Sequence, residues 1–275
     1  KHNDCVFLCF TNATLIDEKF ADEMLRVKNF IPAISLEGDE VSTDSRRGQG
    51  TYQKVVRAMK LLHEKKLPYG ISSCYTSVNY EKITSDTYYN SLIDMGAYFI
   101  WYFHYMPVGN EASCELLPDP DQREYMYHRI REIRAMKGGK PIFAFDFQND
   151  GEYVGGCIAG GRNYCHINPN GDVEPCVFIH YSGANIKEVD LLTALKQPLF
   201  MAYRENQPFN CNHLKPCPML ENPEILQRMV HETKARSTDL QSPESVEHLC
   251  GKCAEYAKKW DVRAQELWQK DRNNK

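Results

Sequence analysis

Strand-like and helix-like segments alternate along the first half of the chain. Five short apolar runs predict β-strands at residues 5–10, 31–37, 69–76, 97–103 and 141–146. Segments with helical periodicity follow four of them, at residues 18–29, 50–66, 84–95 and 119–137. This order predicts an α/β fold with a parallel sheet wrapped by helices, and the nearly continuous apolar runs predict strands buried on both faces. Five strands are too few for a closed eight-stranded barrel, so we expect an open or partial (β/α) barrel.

The composition changes near residue 150. Residues 151–183 contain seven glycines and three cysteines. We therefore expect two domains, a partial barrel at residues 1–149 and a small extension at residues 150–275. Within the extension, residues 166–173 predict a tight hairpin around Pro-Asn-Gly-Asp, and helices are expected at residues 223–234 and 243–270.

Bulk composition excludes some classes of partner and compartment. The net charge of −4 gives no reason to expect a nucleic acid as partner. No apolar run approaches the roughly 20 residues that cross a bilayer, so no membrane partner is expected. The eleven cysteines are an odd number and cannot all pair with one another. Since no secretion signal is visible either, we expect a reducing, cytoplasmic location.

The cysteines of the extension have the spacing of metal or iron–sulfur ligands. Thirteen residues separate Cys157 from Gly171, and four more separate Gly171 from Cys176. A hairpin between the two cysteines would return the chain and bring their sulfurs together. Cys217 lies between two prolines, in a rigid loop.

A C-x-x-C pair completes the candidate set. In Cys250-Gly-Lys-Cys253, the spacing lets two sulfurs face one metal centre. Cys165 and Cys211 are near in sequence, so the choice of four ligands stays open. The spacing does not separate zinc from an iron–sulfur cluster, and scattered core cysteines are the third possibility.

Polar residues or a glycine-containing turn follow three of the predicted strands. Thr11 and Asn12 follow the first strand, Ser35 and Glu37 alternate at the end of the second, and Val108 lies in the glycine-containing turn after the fourth. Folds with parallel strands bind ligands at the carboxyl ends of the strands. Ser35 and Glu37 are expected to face the same side. The alternative for each position is that the residue only stabilises its turn and binds no ligand.

An arginine pair precedes the helix expected at residue 50. Arg46 and Arg47 could bind a carboxylate through both of its oxygens. A solvated loop at residues 44–48 is the alternative interpretation.

In this order, the motifs resemble those of the radical S-adenosylmethionine (SAM) enzymes with a C-terminal SPASM or twitch extension. TNATLID is similar to the TNGTLL stretch of that family, and ISLEG to its SIDG stretch. DSRRGQGTYQKVVRAMKLL is similar to HDxxRGxGTFxxVxxxIxxL. The segment from Cys157 to Cys176, which includes the sequence NGDVEPC, resembles the first part of the SPASM/twitch cluster motif.

The resemblance implies a partial (β/α)6 barrel that binds SAM at its strand ends. In this family a [4Fe–4S] cluster on a C-x3-C-x2-C loop cleaves SAM to a 5′-deoxyadenosyl radical, which takes hydrogen from a substrate such as a peptide or protein. A flavodoxin or ferredoxin supplies electrons. The positions that the resemblance places at SAM are Thr11, Asn12, Ser35, Glu37, Arg47 and Val108.

The resemblance also implies a second, auxiliary [4Fe–4S] cluster in the extension, with the one-cluster twitch form favoured. Its expected ligands are Cys157, Cys176, Cys217 and Cys253, with Cys250 as the alternative to Cys253.

The sequence departs from the family at its start. The C-x3-C-x2-C loop and the Gly-Gly-Glu motif are not found in it. We interpret the chain as an N-terminally truncated radical SAM protein, whether a trimmed chain, a split coding sequence or a degenerate paralogue, and expect no SAM cleavage by the chain alone. Two alternatives stay open: a zinc-stabilised binding module on an α/β scaffold, and a metal-free α/β-barrel enzyme whose cysteines merely pack.

Overall fold

The computed structural model describes residues 2–273, apart from the side chains of residues 271 and 273. It divides into two compact units. The first comprises residues 2–105 and 121–147, and the second comprises Met106–Pro120 and residues 148–273. The boundary predicted from the sequence lay between residues 149 and 150. That prediction did not assign the short segment Met106–Pro120 to the second unit.

A five-stranded parallel sheet forms the centre of the first unit. The strands follow one another in chain order, and each pairs with the next in parallel. They are β1 (Phe7–Thr11), β2 (Phe30–Ser35), β3 (Gly70–Tyr75), β4 (Phe99–His104) and β5 (Phe143–Asp146). The α/β fold and the parallel sheet predicted from the sequence are confirmed, and the described strands do not close into a barrel.

Helices cover one face of this sheet. They are α1 (Glu18–Val27), α3 (Thr51–Glu64), α4 (Asp86–Asp94) and α5 (Pro120–Ile133), whereas α2 (Glu40–Arg47) contributes no residue to the core beneath them. Asp17 caps α1 by accepting from the Phe20 backbone N–H at 2.8 Å, and Asp44 accepts from Gly50 and Tyr52 at the start of α3. Ile34, Ile71 and Ile100 of the covered sheet face are fully buried, and they place the core of the unit between sheet and helices.

The other face of the sheet is concave and only partly buried. Phe10 of β1 lies 5.6 Å from Trp101 of β4 between ring centroids, although two strands separate β1 from β4. In a flat sheet, strands three places apart are separated by about 14 Å, so the contact fits a sheet that curves towards this side, with both rings leaning over the middle strands. Small residues, Ala33 and Gly70, occupy the middle strands there, and the ring of Phe99 lies 2.3 Å from the position that a Cβ on Gly70 would take.

Burial on both faces, which the sequence predicted, is therefore wrong for the concave face. Phe10 is 49% exposed and Phe143 is 52% exposed. The apolar runs predicted full burial because apolar residues populate both faces of β1, β4 and β5. Only the sheet face that the helices cover is shielded from solvent.

The segment before Gly48 also differs from expectation. Residues 44–48 do not form a solvated loop, because α2 extends over Glu40–Arg47 and ends at Gly48. The Asp39 side chain accepts from the Ser42 backbone N–H at 2.9 Å, which caps the helix.

The second unit has short elements joined by turns. They are β6 (His166–Ile167), β7 (Val173–Glu174), β8 (Tyr181–Ser182), β9 (Arg236–Ser237), α6 (Gly151–Val154), α7 (Leu191–Ala194), α8 (Pro198–Asn206), α9 (Pro223–Thr233) and α10 (Val246–Asn273). The antiparallel pairing of β6 with β7 forms the hairpin that the sequence predicted. Across residues 2–273, no helix combines the length and the apolar character needed to span a bilayer.

Candidate functional site

Three cysteines from separate loops of the second unit lie near one another. Cys157 follows α6, Cys176 follows β7, and Cys217 precedes α9. Burial of the thiols raises the pKa of Cys157 to about 11 and that of Cys176 to about 12, and it raises the pKa of Cys217 well above its usual value. A negative charge on Cys157 would raise the pKa of Cys176 and of Cys217 further. The three sulfurs are therefore close enough to interact electrostatically. We call these three residues the cysteine trio.

The local chain explains how the trio forms. Gly171, with φ of +94°, occupies the β6–β7 turn, and a Cβ there would lie 2.7 Å from Oδ1 of Asn185. The turn returns the chain from Cys157 towards Cys176. At the third position, the Asn222 side-chain amide donates to the carbonyl of Cys217 at 3.0 Å and fixes the loop between the two prolines.

Backbone N–H groups point at the sulfurs of the trio. The Ala159 N–H donates to Sγ of Cys157 at 3.4 Å, and the Leu220 N–H donates to Sγ of Cys217 at 3.4 Å. Backbone hydrogen bonds from the turn after Cys176 lower the pKa of that thiol, against the larger effect of burial. Hydrogen bonds of this kind favour thiolates and tune iron–sulfur centres.

A tyrosine that sequence reasoning missed lies beside the trio. Tyr203 of α8 is fully buried, and its hydroxyl has no hydrogen-bond partner among the described residues. Burial raises the pKa of Tyr203 well above 10.0, and nearby charges on the trio and on Cys250 would raise it further. The protonated hydroxyl is therefore an unused donor close to several sulfurs, which fits a sulfur-rich acceptor at this place.

A glutamate that sequence reasoning also missed lies beside Cys217. Glu221 is 5% exposed, and its Oε2 accepts from the Cys217 backbone N–H at 2.7 Å. Its charge raises the pKa of Cys157, Cys217 and Cys253, after the larger effect of burial. The sequence held one signal for it, an acidic residue four positions after a cysteine in a proline-rich loop.

The C-x-x-C pair lies in a regular helix rather than in a loop. Cys250 and Cys253 are in α10, where they are 3% and 0% exposed. Burial raises the pKa of Cys250 to about 12, and burial followed by the charge of Cys250 raises the pKa of Cys253. The i, i+3 spacing places both thiols on one side of the helix.

Three other cysteines have different surroundings. Cys165 packs against the small core around Val173, Cys211 is exposed, and Cys5 precedes β1 on the surface. Within the described part of the chain, no three His, Cys, Asp or Glu side chains are grouped so as to hold a single metal ion. The ligands of an iron–sulfur cluster bind different irons, so they do not have to meet at one point.

In the first unit, the arginine pair binds a carboxylate of the protein itself. Arg46 and Arg47 donate to the two oxygens of Glu37, at 3.0 Å and 2.5 Å. Glu37 is 2% exposed, and its backbone N–H donates to the Thr43 hydroxyl of α2 at 3.2 Å. The Nε of Arg47 is buried and has no partner among the described residues.

The concave face of the sheet next to this ion pair combines polar and aromatic groups. The register places Ser35 beside Ser72, and Ser72 beside Trp101. Cys74, two residues along β3, interacts electrostatically with Arg46, and burial is the main reason why its pKa is raised. The indole N–H of Trp101 is buried without a partner among the described residues.

Thr11 and Asn12 engage their own loop. Thr11 accepts from the Ala13 backbone N–H at 3.0 Å, and Asn12 accepts from the Thr14 backbone N–H at 3.2 Å. Ala13 has φ of +56°, at the place where the resembling TNG stretch has glycine. Both side chains thus stabilise their own turn by accepting backbone hydrogen bonds.

Val108 belongs to the second unit, whereas the other candidate SAM residues belong to the first. It lines a small cavity with Gly109, Tyr181 and Glu244. The Gly109 N–H donates to Glu244 at 2.8 Å, and Lys252 of α10 donates to the Gly109 carbonyl at 2.6 Å. The turn after β4 is thereby fixed to the other elements of the second unit.

Comparisons with known proteins agree with this arrangement of cysteines. A family model described as SPASM, an iron-sulfur cluster-binding domain, matches residues 157–218. This range includes the whole cysteine trio. An AdoMet-dependent heme synthase of Methanosarcina barkeri (strain Fusaro / DSM 804) is 21% identical over 201 residues, which are 65% of this chain and 56% of that protein.

Solved structures share the fold. Streptococcus suis SuiB is similar with a TM-score of 0.59 and 18% identity, over 72% of this chain and 50% of SuiB. The structure of anSMEcpe with bound AdoMet and the Cp18Cys peptide has a TM-score of 0.54 and 16% identity, over 96% of this chain and 76% of anSMEcpe. SuiB bound to its precursor peptide SuiA has a TM-score of 0.54 and 20% identity, over 87% of this chain and 58% of SuiB.

The class predicted from the sequence is confirmed. Residues 157–218 match the SPASM model of an iron–sulfur cluster-binding domain, and the mixed α/β fold is shared with anSMEcpe. The chain is thus similar to radical SAM proteins that carry a SPASM domain, in the matched segment and in fold. The chain spans about half of the length of the heme synthase and of SuiB, at 56% and 50%.

Proposed function

We propose that the second unit binds an auxiliary iron–sulfur cluster in support of radical SAM chemistry on a peptide or protein substrate. The observation that carries this proposal is the cysteine trio, whose thiols lie within reach of one another inside the SPASM range. Cys157, Cys176 and Cys217 supply the ligands from three loops. The sequence predicts that Cys253 or Cys250 supplies the fourth.

The residues of the trio fit such a group chemically. The thiols would lose their protons on binding iron, and the backbone N–H groups at Cys157 and Cys217 would stabilise the resulting thiolates. Tyr203 offers a hydroxyl donor to the same place. A cluster held there would supply electron transfer or a binding point for substrate.

For the first unit, we propose SAM as the ligand of the concave face. Ser35 is placed on this face by the register, and the free Nε of Arg47 can donate to a ligand carboxylate while its terminal nitrogen holds Glu37. Glu37 then acts by positioning Arg47. Thr11, Asn12 and Val108 stay proposals from the family resemblance. A peptide as substrate is supported by the SuiB–SuiA and anSMEcpe–Cp18Cys complexes.

Ligand mapping tests the proposed cluster. Serine is substituted singly for Cys157, Cys176 and Cys217, and each variant is reconstituted with iron and sulfide without oxygen. We expect the visible charge-transfer absorption to fall by more than half in each variant. Cys165→Ser and Cys211→Ser are the controls and should keep it. Equal absorption in all five variants would overturn the proposal.

Equilibrium binding tests the SAM site. We expect Arg47→Ala to weaken binding of SAM about tenfold, because a charged hydrogen bond contributes about 1.4 kcal/mol or more. Arg26→Ala, which removes an exposed ion pair with Glu23, is the control. Unchanged affinity in the Arg47 variant, with a normal thermal unfolding profile, would remove Arg47 from the SAM site.

A further inference from the structure

We propose that the carboxylate of Glu221 is the fourth ligand of the auxiliary cluster, beside Cys157, Cys176 and Cys217. The inference rests on the proposed cluster and replaces the ligand expected from the C-x-x-C pair. It makes the site a Cys3Glu site, in which one iron has an oxygen ligand instead of a sulfur ligand.

Geometry places Glu221 at the trio. Its Oε2 accepts from the Cys217 backbone N–H at 2.7 Å, and its own N–H donates to the Cys217 carbonyl at 3.2 Å. These two bonds close a tight turn that directs the glutamate side chain back over the cysteine. The side chain is 5% exposed, so it is held inside the protein and not in solvent.

Charge gives the second argument. The Glu221 carboxylate acts electrostatically on Cys157 and Cys217 of the trio. Three thiolates and a carboxylate at one buried place repel one another, and only protons or bound cations relieve this cost. Iron supplies that positive charge when the three thiols release their protons. Carboxylate is an established type of metal ligand, although harder than thiolate.

Glu221 also acts electrostatically on Cys253 of α10. Cys253 is fixed in a regular helix, where the polypeptide backbone cannot adjust towards the trio without disturbing α10. Glu221 needs no such change.

Mössbauer spectroscopy of the full chain, reconstituted with 57Fe, tests the ligand. We expect one of about four irons in the wild-type chain to have the larger isomer shift of an oxygen-ligated site. Glu221→Cys should make the irons alike. Glu221→Gln should lose about one iron per chain and show the EPR signal of a three-iron cluster, whereas Cys253→Ser should resemble the wild type.

Glu244→Gln is the matched control, because Glu244 is also buried in the second unit and also accepts from a backbone N–H, that of Gly109. Its spectrum should not change. Loss of one iron in Cys253→Ser together with a full cluster in Glu221→Gln would overturn the inference and leave the auxiliary cluster standing. A wild-type chain that binds no cluster would overturn both.

Discussion

Arg47 and Glu37 form a short ion pair that joins the end of α2 to the segment following β2. Nη2 of Arg47 lies 2.5 Å from Oε1 of Glu37, and Arg46 binds the other oxygen at 3.0 Å. A carboxylate that is 2% exposed thus has two charged partners. The pair fixes α2 beside the concave face, where the first unit presents its candidate SAM residues.

Glu37→Gln should therefore destabilise the first unit. Removing the carboxylate leaves two partly buried guanidinium groups without their anion, and we expect the free energy of unfolding to fall by about 2 kcal/mol. The estimate is below that for a fully buried pair because Arg46 is 41% and Arg47 is 27% exposed. Urea denaturation measures it. Glu23→Gln breaks an exposed pair and should cost less than about 0.5 kcal/mol; equal effects would refute the argument.

His104 should make stability depend on pH. Burial lowers its pKa well below 6.5, and the nearby charge of Arg123 lowers it further. The folded state keeps the imidazole neutral while the unfolded chain takes up a proton below pH 6.5, so stability falls as the pH decreases from 6.5 towards the folded pKa. His104→Gln should remove up to about 1.4 kcal/mol per pH unit of this slope. Unfolding curves between pH 7 and pH 5 that are parallel for wild type and variant would contradict the prediction.

Gly160→Ala should destabilise the second unit strongly. Gly160 has φ of +66°, and a Cβ there would lie 2.4 Å from Cδ1 and 2.5 Å from Cβ of Tyr203. Backbone strain and overpacking together should cost about 3 kcal/mol. Gly251→Ala is the control in α10, where nothing lies within 4 Å, and it should stabilise the helix by about 0.5–1 kcal/mol. Thermal unfolding that ranks the two variants in the opposite order would show that Tyr203 does not pack as described.

Tyr203→Phe tests the unused hydroxyl. A donor to the cluster or its ligands stabilises the reduced form, so its removal should lower the reduction potential by roughly 20–60 mV, which corresponds to one hydrogen bond and one electron. A potentiometric titration followed by EPR measures the change. Tyr153→Phe, at a tyrosine that is 64% exposed, is the control. A potential that is the same in both variants would exclude Tyr203 as a donor.

The strands and most helices could be predicted because their signals are local. Each of the five apolar runs overlaps a strand. Gly96, with φ of +89°, comes directly after the predicted end of the helix at residues 84–95. Helix α2 was missed because Val41 is the only apolar residue in Glu40–Arg47. Its cap at Asp39 and its ion pairs with Glu37 compensate for the absent apolar face, and a tertiary ion pair has no periodicity in the sequence.

The site was predictable only in part, for the same reason. Cys157 and Cys176 are joined by a hairpin whose turn residues are visible in the sequence, so their proximity followed from local rules. Tyr203 and Glu221 reach the trio through the packing of α8 and of the loop before α9. Tyrosine and glutamate are common in ordinary helices, and only burial beside thiols distinguishes these two. The twitch form and the choice of the fourth ligand stay predictions.

The metal content of the chain, purified without oxygen, tests the auxiliary cluster most directly. Iron, zinc and acid-labile sulfide are measured per chain in the wild type and in Cys176→Ser. We predict about four irons with a matching amount of sulfide in the wild type, and a loss of most of both in the variant. About one zinc per chain without sulfide, or iron that is unaffected by Cys176→Ser, would contradict the account.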